Sequence, residues 1–179
     1  MVTKAQESQV TSKLDETEAS SFESVATAEM AVMYRVARRL APDAVEAEDL
    51  VGQALLLAAR GWPAFDGRHP RSWLLKILKN EAQKRSLDKK THFRLFEDQS
   101  ELTDSETERR IGEHLTAEAI VKAMDRIPWE YRVAVTLCDG EGMTYEEAAD
   151  VLDVPLGTIR SRLYRGRRLL QQKLQRWSD

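Results

Sequence analysis

Residues 144–168 read TYEEAADVLDVPLGTIRSRLYRGRR, and the way this stretch divides decides the fold. Thr144 stands three residues before Glu147, the spacing at which a hydroxyl and a carboxylate cap the first turn of a helix reciprocally. Ala148, Ala149, Val151 and Leu152 give that helix an apolar face. Asp153-Val154-Pro155 makes a tight turn, and a second helix follows from about Leu156, with Ile159, Leu163, Leu169 and Leu170 on its apolar side. Ala148 and Ala149 are small where two helices must cross closely, and Val154 is placed to fill the space under the turn. This is the spacing of a helix-turn-helix.

The polar side of the second helix carries Thr158, Arg160, Ser161, Arg162, Tyr164, Arg165, Arg167 and Arg168. In a helix-turn-helix the N-terminal part of such a helix enters the major groove. An arginine there donates two hydrogen bonds to guanine, worth about 1–3 kcal/mol of discrimination. Arginines farther along more often meet phosphates, which set register and salt dependence. An Arg-rich surface helix closing a bundle would explain the charge alone, but not the charge together with the turn and the small residues.

Working back toward the N-terminus, the remaining pattern is helical throughout. Phe22, Val25, Ala26, Met30, Met33, Val36, Ala37 and Leu40 recur at three- and four-residue steps and predict one helix, ended by Pro42 and Asp43. A second is expected from about Ala44 to Arg60, with Leu50, Val51, Ala54, Leu55 and Ala58 inward. Gly61, Pro63, Gly67 and Pro70 then crowd a loop. A third helix starts near Arg71 and carries Trp73, Leu74, Ile77 and Leu78 into its core. Later, Ala119, Ile120, Ala123 and Met124 form a stripe, and Pro128 is placed to open a helix holding Trp129, Val133, Val135 and Leu137. Asp139-Gly140-Glu141-Gly142 reads as a turn. No segment alternates convincingly as a strand. The expectation is an all-α chain of two small helical domains: a flexible acidic tail over 1–21, a first domain over 22–90, an acidic linker over 91–114 and a second domain over 115–177.

The net charge of -3 hides a block pattern. Residues 60–95 hold ten bases against three acids, residues 97–118 eight acids against two bases, and residues 155–176 seven bases and no acid. Two basic segments, each inside an apolar helical pattern, favour contact with DNA over two solvated helix faces. No stretch approaches the roughly 20 apolar residues that span a bilayer, and no secretory leader is expected, so membrane insertion is not anticipated and a cytoplasmic location is. Cys138, the one cysteine, excludes an internal disulfide and reads as a buried small residue. His69, His92 and His114 have no metal-ligand spacing, and no nucleotide-binding, nucleophile or zinc motif is present. Neither a catalytic residue nor a cofactor or metal is expected.

Ile127-Pro128, Arg132, Tyr145-Glu146-Glu147-Ala148-Ala149 and the run from Pro155 to Arg167 resemble the fourth conserved region of extracytoplasmic-function sigma factors. Ala47-Glu48-Asp49-Leu50-Val51, Phe65, Trp73-Leu74, Ile77 and Asn80 resemble the family's second region, in the right order. The resemblance covers roughly residues 22–90 and 115–175. It implies an alternative sigma factor that carries core RNA polymerase to specific promoters, with an anti-sigma factor as a further partner. It implies -35 recognition by Gly157, Thr158, Arg160, Ser161, Tyr164 and Arg165, with Arg162 and Arg167 supporting the fold or reaching the backbone. It implies -10 contacts by Phe65, Arg68, Asn80, Lys84 and Arg85, and polymerase docking by Asp49 and Gln53. The chain departs from the pattern in the docking helix, where Leu57 and Ala59 stand at positions commonly Arg and Trp, and in the loop that follows, where Pro70 stands near a position normally aromatic. Gly52-Gln53 stands where Gln-Glu is common, and the loop from Phe65 to Pro70 is one residue shorter than usual. Two other readings stay open: a helix-turn-helix regulator with a sensing first domain, and a sigma-like protein without initiation activity.

Overall fold

A computed structural model of the chain describes residues 21–96 and 117–175. Residues 1–20 of the expected tail and 97–114 of the expected linker lie outside the described residues. Helix α1 spans Phe22–Leu40. It starts where the Ser21 hydroxyl accepts from the Ser24 amide at 3.2 Å, and its dipole is matched by Glu23 in the first turn and Arg38 and Arg39 in the last. Helix α2 spans Ala44–Gly61 and is capped by Asp43, whose carboxylate accepts from the Glu46 amide at 2.8 Å. A single 3-10 turn over Trp62–Ala64 leads into a loop in which Gly67 and His69 both take positive φ. Helix α3 spans Pro70–Phe96. Proline is tolerated at its first position because the amide hydrogen it lacks has no partner there in any helix. The helix runs on through residues 91–96, into the stretch expected as linker.

The second half begins with α4 over Ala117–Asp125 and α5 over Trp129–Val135. The turn expected at 139–142 takes an unexpected form. The backbone continues from α5 into a π turn over Thr136–Gly140, closed by the Glu141 amide on the Thr136 carbonyl, and only Gly142, at φ +68°, reverses the chain. Helix α6 spans Tyr145–Leu152, with both bonds of the expected capping box formed: the Glu147 amide donates to the Thr144 hydroxyl at 3.2 Å, and the Thr144 amide donates to the Glu147 carboxylate at 2.8 Å. The Thr144 amide, joined by the Thr144 hydroxyl at 3.0 Å, donates to the Glu147 carboxylate and holds that carboxyl below its ordinary range. Helix α7 spans Leu156–Gln175. There is no strand among the described residues, and none of their helices is long and apolar enough to cross a membrane.

The core runs through both halves without a break. Met33, Leu50, Leu74, Leu75 and Leu78 fill the first half, and Leu137, Val151, Ile159 and Leu163 the second. α3 packs against α6, and α1 against α4 and the π turn. The buried arc of α1 comprises Ala26, Val32, Met33, Val36, Ala37 and Leu40. Met30, expected inside, is 41 % exposed. At 100° per residue it falls just past the rim of that arc, whereas Val32 falls at its other edge and is covered. Trp73 is half-buried, its ring stacked on Phe65 at 4.6 Å and 6.0 Å from Trp62. Arg132 ties α5 to α4 through Asp125 at 2.9 Å and lies over the Trp129 ring.

Helix α7 reaches α5 through a glycine. A Cβ on Gly166 would lie 2.7 Å from Val135 Cγ2 and 3.3 Å from the Tyr131 backbone carbonyl. Neither neighbour yields easily, since one is a stiff β-branched side chain and the other main chain. Gly166→Ala is therefore expected to lower stability by about 1–3 kcal/mol despite alanine's better helix propensity. Gly157, on the same helix, meets nothing within 4 Å, so Gly157→Ala is expected to leave stability level or raise it by about 0.4–1 kcal/mol. Urea denaturation of both variants checks the pair, and equal midpoints would refute the close crossing.

Candidate nucleic-acid interfaces

The exposed side of α7 gathers most of the residues expected to read duplex DNA. Ile159 and Leu163 are fully buried, so the helix is locked in rotation about its axis. That lock turns Arg160, Ser161, Tyr164 and Arg165 outward, with Tyr164 68 % exposed. A shallow recess along this face is lined by Tyr145, Arg160, Tyr164, Arg167 and Arg168. Arg165 is not loose: its guanidinium donates to the Tyr131 hydroxyl at 3.3 Å, which aims it along the helix flank. Gly157 is exposed in the first turn. The Thr158 amide donates to the Pro155 carbonyl at 2.8 Å and is already used within the turn, while the Thr158 carbonyl accepts from the Ser161 hydroxyl at 2.9 Å.

Two other arginines of α7 are drawn into the fold. Arg167 forms a bidentate pair with Asp139 at 2.9 and 2.6 Å, and these bonds raise its already high pKa further. It fastens α7 to the π turn. Arg162 is half-buried. Below them Cys138 is buried, and burial pushes its thiol up to about 11, far from the thiolate range of a reactive cysteine.

The first half presents a second face, built from the loop after α2 and the outer side of α3. Trp62, Phe65 and Trp73 form an aromatic step, with Phe22 edge-on to Trp62 at 5.6 Å. Phe65 is half-buried, with one side of its ring given to Trp73. Arg68 is exposed and pairs with Asp66, whose carboxylate also accepts from the Arg68 amide at 2.9 Å; that backbone bond is the main reason its carboxyl is held low. Asn80 and Lys84 are exposed on α3. Arg85 differs from them. It donates to Glu81 at 3.2 Å and to the Asp49 carbonyl at 3.4 Å, and lies 3.8 Å from Glu46. Its geometry is that of a brace between α3 and α2, because two carboxylates and a carbonyl converge where its side chain ends. On α2, Asp49 is exposed and Gln53 half-exposed.

Sequence reasoning passed over Trp62, Lys76 and Lys79. Lys76 stands four residues before Asn80, so helical spacing from that asparagine was the available signal for it, whereas Lys79, one residue before, lies off that face and carried no such signal. Trp62 was hidden by the glycines and prolines around it.

Two family models match the chain: Sigma-70 region 2 over residues 26–91 and Sigma-70, region 4 over residues 117–170. Among curated relatives, the ECF RNA polymerase sigma factor SigE of Mycolicibacterium smegmatis is 31% identical over 82% of this chain and 59% of its own length, so the chain spans little more than half of that relative. The RNA polymerase sigma-H factor of Pseudomonas aeruginosa is 27% identical over 98% of this chain and 97% of its own. Among solved structures, the sigma factor RpoE of Bartonella quintana, in complex with the anti-sigma factor NepR, superposes with a TM-score of 0.68 at 26% identity, covering 86% of this chain and 96% of that one.

The neighbouring cations Lys84 and Arg85 are expected to behave differently. Arg85→Ala removes the brace between α3 and α2 and should lower stability by about 1 kcal/mol. Lys84→Ala touches only an exposed side chain and should stay within about 0.5 kcal/mol of the parent. Thermal melts of the two variants, followed by circular dichroism, check this; equal losses would return Arg85 to the surface.

Proposed function

The chain belongs to the sigma-70 family, and on that footing we propose that it is an alternative sigma factor of the extracytoplasmic-function group, which binds core RNA polymerase and directs it to specific promoters. The observation that carries this reading is the pairing of two reading faces in one chain. One is the outward arginine face of α7; the other is the aromatic step and outer side of α3. In this reading the first half is the unit from 22 to 90 and the second the unit from 115 to 177.

Duplex recognition at the -35 element falls to Arg160, Ser161, Tyr164 and Arg165, with Gly157 and Thr158 near the flanking phosphate. Arg160, nearest the N-terminal end of α7, reads a base edge; Arg165, held by Tyr131, serves the flank. At the -10 element Phe65 offers a stacking surface, Asn80 a base-edge contact, and Arg68 and Lys84 hold the single-strand backbone. Arg85 acts there only through the brace. Asp49 and Gln53, on the outer side of α2, meet the polymerase. An anti-sigma factor is a natural further partner, as it is for the Bartonella relative. The chain itself carries out no bond chemistry, and it works in the cytoplasm, where polymerase and promoter are.

Run-off transcription tests this. The purified chain with core polymerase, on templates carrying randomised -35 and -10 windows, should yield transcripts enriched for a defined pair of motifs. No enrichment over core alone would leave a sigma-like protein without initiation activity. Arg160→Ala should lose about 1–3 kcal/mol on the enriched -35 sequence and much less on random DNA. A phosphate contact would instead weaken both alike and lower the salt slope by about one unit.

A further inference from the structure

α5 and α7 cross at Gly166, where a Cβ would lie 3.3 Å from both the Cβ and the carbonyl oxygen of Tyr131. With no side chain in the way, Tyr131 lies against the flank of α7, beside the residue that precedes the glycine. That residue is Arg165, and its Nη1 donates to the Tyr131 hydroxyl at 3.3 Å. The crossing therefore does more than pack two helices. It brings a phenol from α5 to the side chain of an arginine on the exposed side of α7.

Around this pair lies a recess of about 400 Å³, walled by Tyr131, Tyr164, Arg165, Arg168 and Gln172. Its chemistry is one-sided. Two guanidiniums, the Tyr164 hydroxyl and the Gln172 amide can all donate, and no carboxylate is in its lining. Two other recesses differ: one carries Asp66, Asp150 and Asp153 beside its cations, the other Glu46 and Asp125. Arg167 is bound to Asp139, whereas Arg165, Arg168 and Gln172 are exposed. A recess with several donors and no acid selects an oxyanion.

The place of the recess on α7 says which oxyanion. Tyr164 and Arg168 also line the recess that holds Arg160, so the two share a wall. At about 1.5 Å of rise per residue, Arg165 stands about 7.5 Å beyond Arg160 along the helix axis, and Arg168 about 12 Å. The major groove is about 8.5 Å deep. With the N-terminal end of α7 in the groove and Arg160 at the base edges, Arg165 and Arg168 come level with the rim, where the phosphates are.

We propose that this recess seats a backbone phosphate at the rim of the major groove, and that Tyr131 is the positioning residue that commits Arg165 to that phosphate instead of a base edge. Arg168 and Gln172 complete the seat. Tyr131 acts through the aim of Arg165. That the duplex is a -35 element rests on the sigma-factor reading, and in that reading base discrimination falls to Arg160 without help from Arg165.

The full chain tests this with Tyr131→Phe, Arg165→Ala, Arg168→Ala and the pair Tyr131→Phe/Arg165→Ala. Each is first checked for a parental melting curve by circular dichroism. Each is then titrated at several salt concentrations with two fluorescent duplexes, one bearing the -35 sequence enriched in run-off transcription and one of random sequence. Arg165→Ala and Arg168→Ala should each weaken both duplexes alike and lower the salt slope by about one unit. Tyr131→Phe keeps the ring and the net charge, and should weaken both alike by about twofold to tenfold, the range of one hydrogen bond. With Arg165 already removed, the same substitution should weaken binding by less than about twofold more. No change on Tyr131→Phe overturns the positioning role. So does an equal loss in the absence of Arg165, which makes the effect one of the fold. A loss confined to the enriched duplex returns Arg165 to a base edge and overturns the phosphate seat. Binding to random sequence needs no polymerase, so failure of run-off enrichment with the random-duplex result intact removes the sigma-factor reading and leaves the seat.

Discussion

Asp153 occupies the left-handed region at φ 57°, ψ 48°, and the second half is arranged around that residue. A non-glycine residue there costs on the order of 1–2 kcal/mol, less for Asp than for most. The reversal lets the Val154 amide reach the Ala149 carbonyl at 3.2 Å, closing α6, and lets α7 restart at Leu156 in a new direction. Ile159 and Leu163 can then enter the core beside Ala148 and Val151. The same reversal turns Arg160 and Tyr164 to the outside. It also sets Asp153 opposite Lys76, so one turn fixes the reading helix and faces the other half.

Small residues at the crossings make this compactness possible. Ala54, Ala58, Ala148 and Gly166 bury little area of their own but bring backbones close, and the larger side chains around them interlock. Close approach also sorts the cations. Arg35, Arg39, Arg71, Arg85, Arg132 and Arg167 end on carboxylates of other turns or helices. Arg160, Arg168 and Lys84 stay at the surface. In the sequence these arginines look alike. Where each guanidinium ends decides whether it braces the fold or faces a ligand.

The second of the two functional regions was the more legible. Its capping box, tight turn and arginine face come from residues within a few positions of one another, and local chemistry dictates them. The first was less so. Phe65, Asn80 and Lys84 stood out, but Trp62 was masked by turn residues, and Arg85 was indistinguishable from Lys84 until Glu81, Glu46 and the Asp49 carbonyl were seen around it. A turn was expected over 139–142, but residues 136–140 continue as a π turn and only Gly142 reverses the chain, because nothing in a four-residue window distinguishes an i to i+5 bond from an ordinary helix end.

The sequence by itself determined the helices, their caps, the helix-turn-helix and the separation of basic from acidic blocks. These rest on interactions between residues three or four apart, or on composition over twenty. The tertiary structure alone decided which cations are spent on the fold, where α7 passes α5, and that the two halves close on Glu141. Apart from Arg132 on Asp125 and Arg85 on Glu81, those outcomes join residues 28 to 106 positions apart. Pairing at that range is selected by the shape of the packed core, which no local pattern encodes.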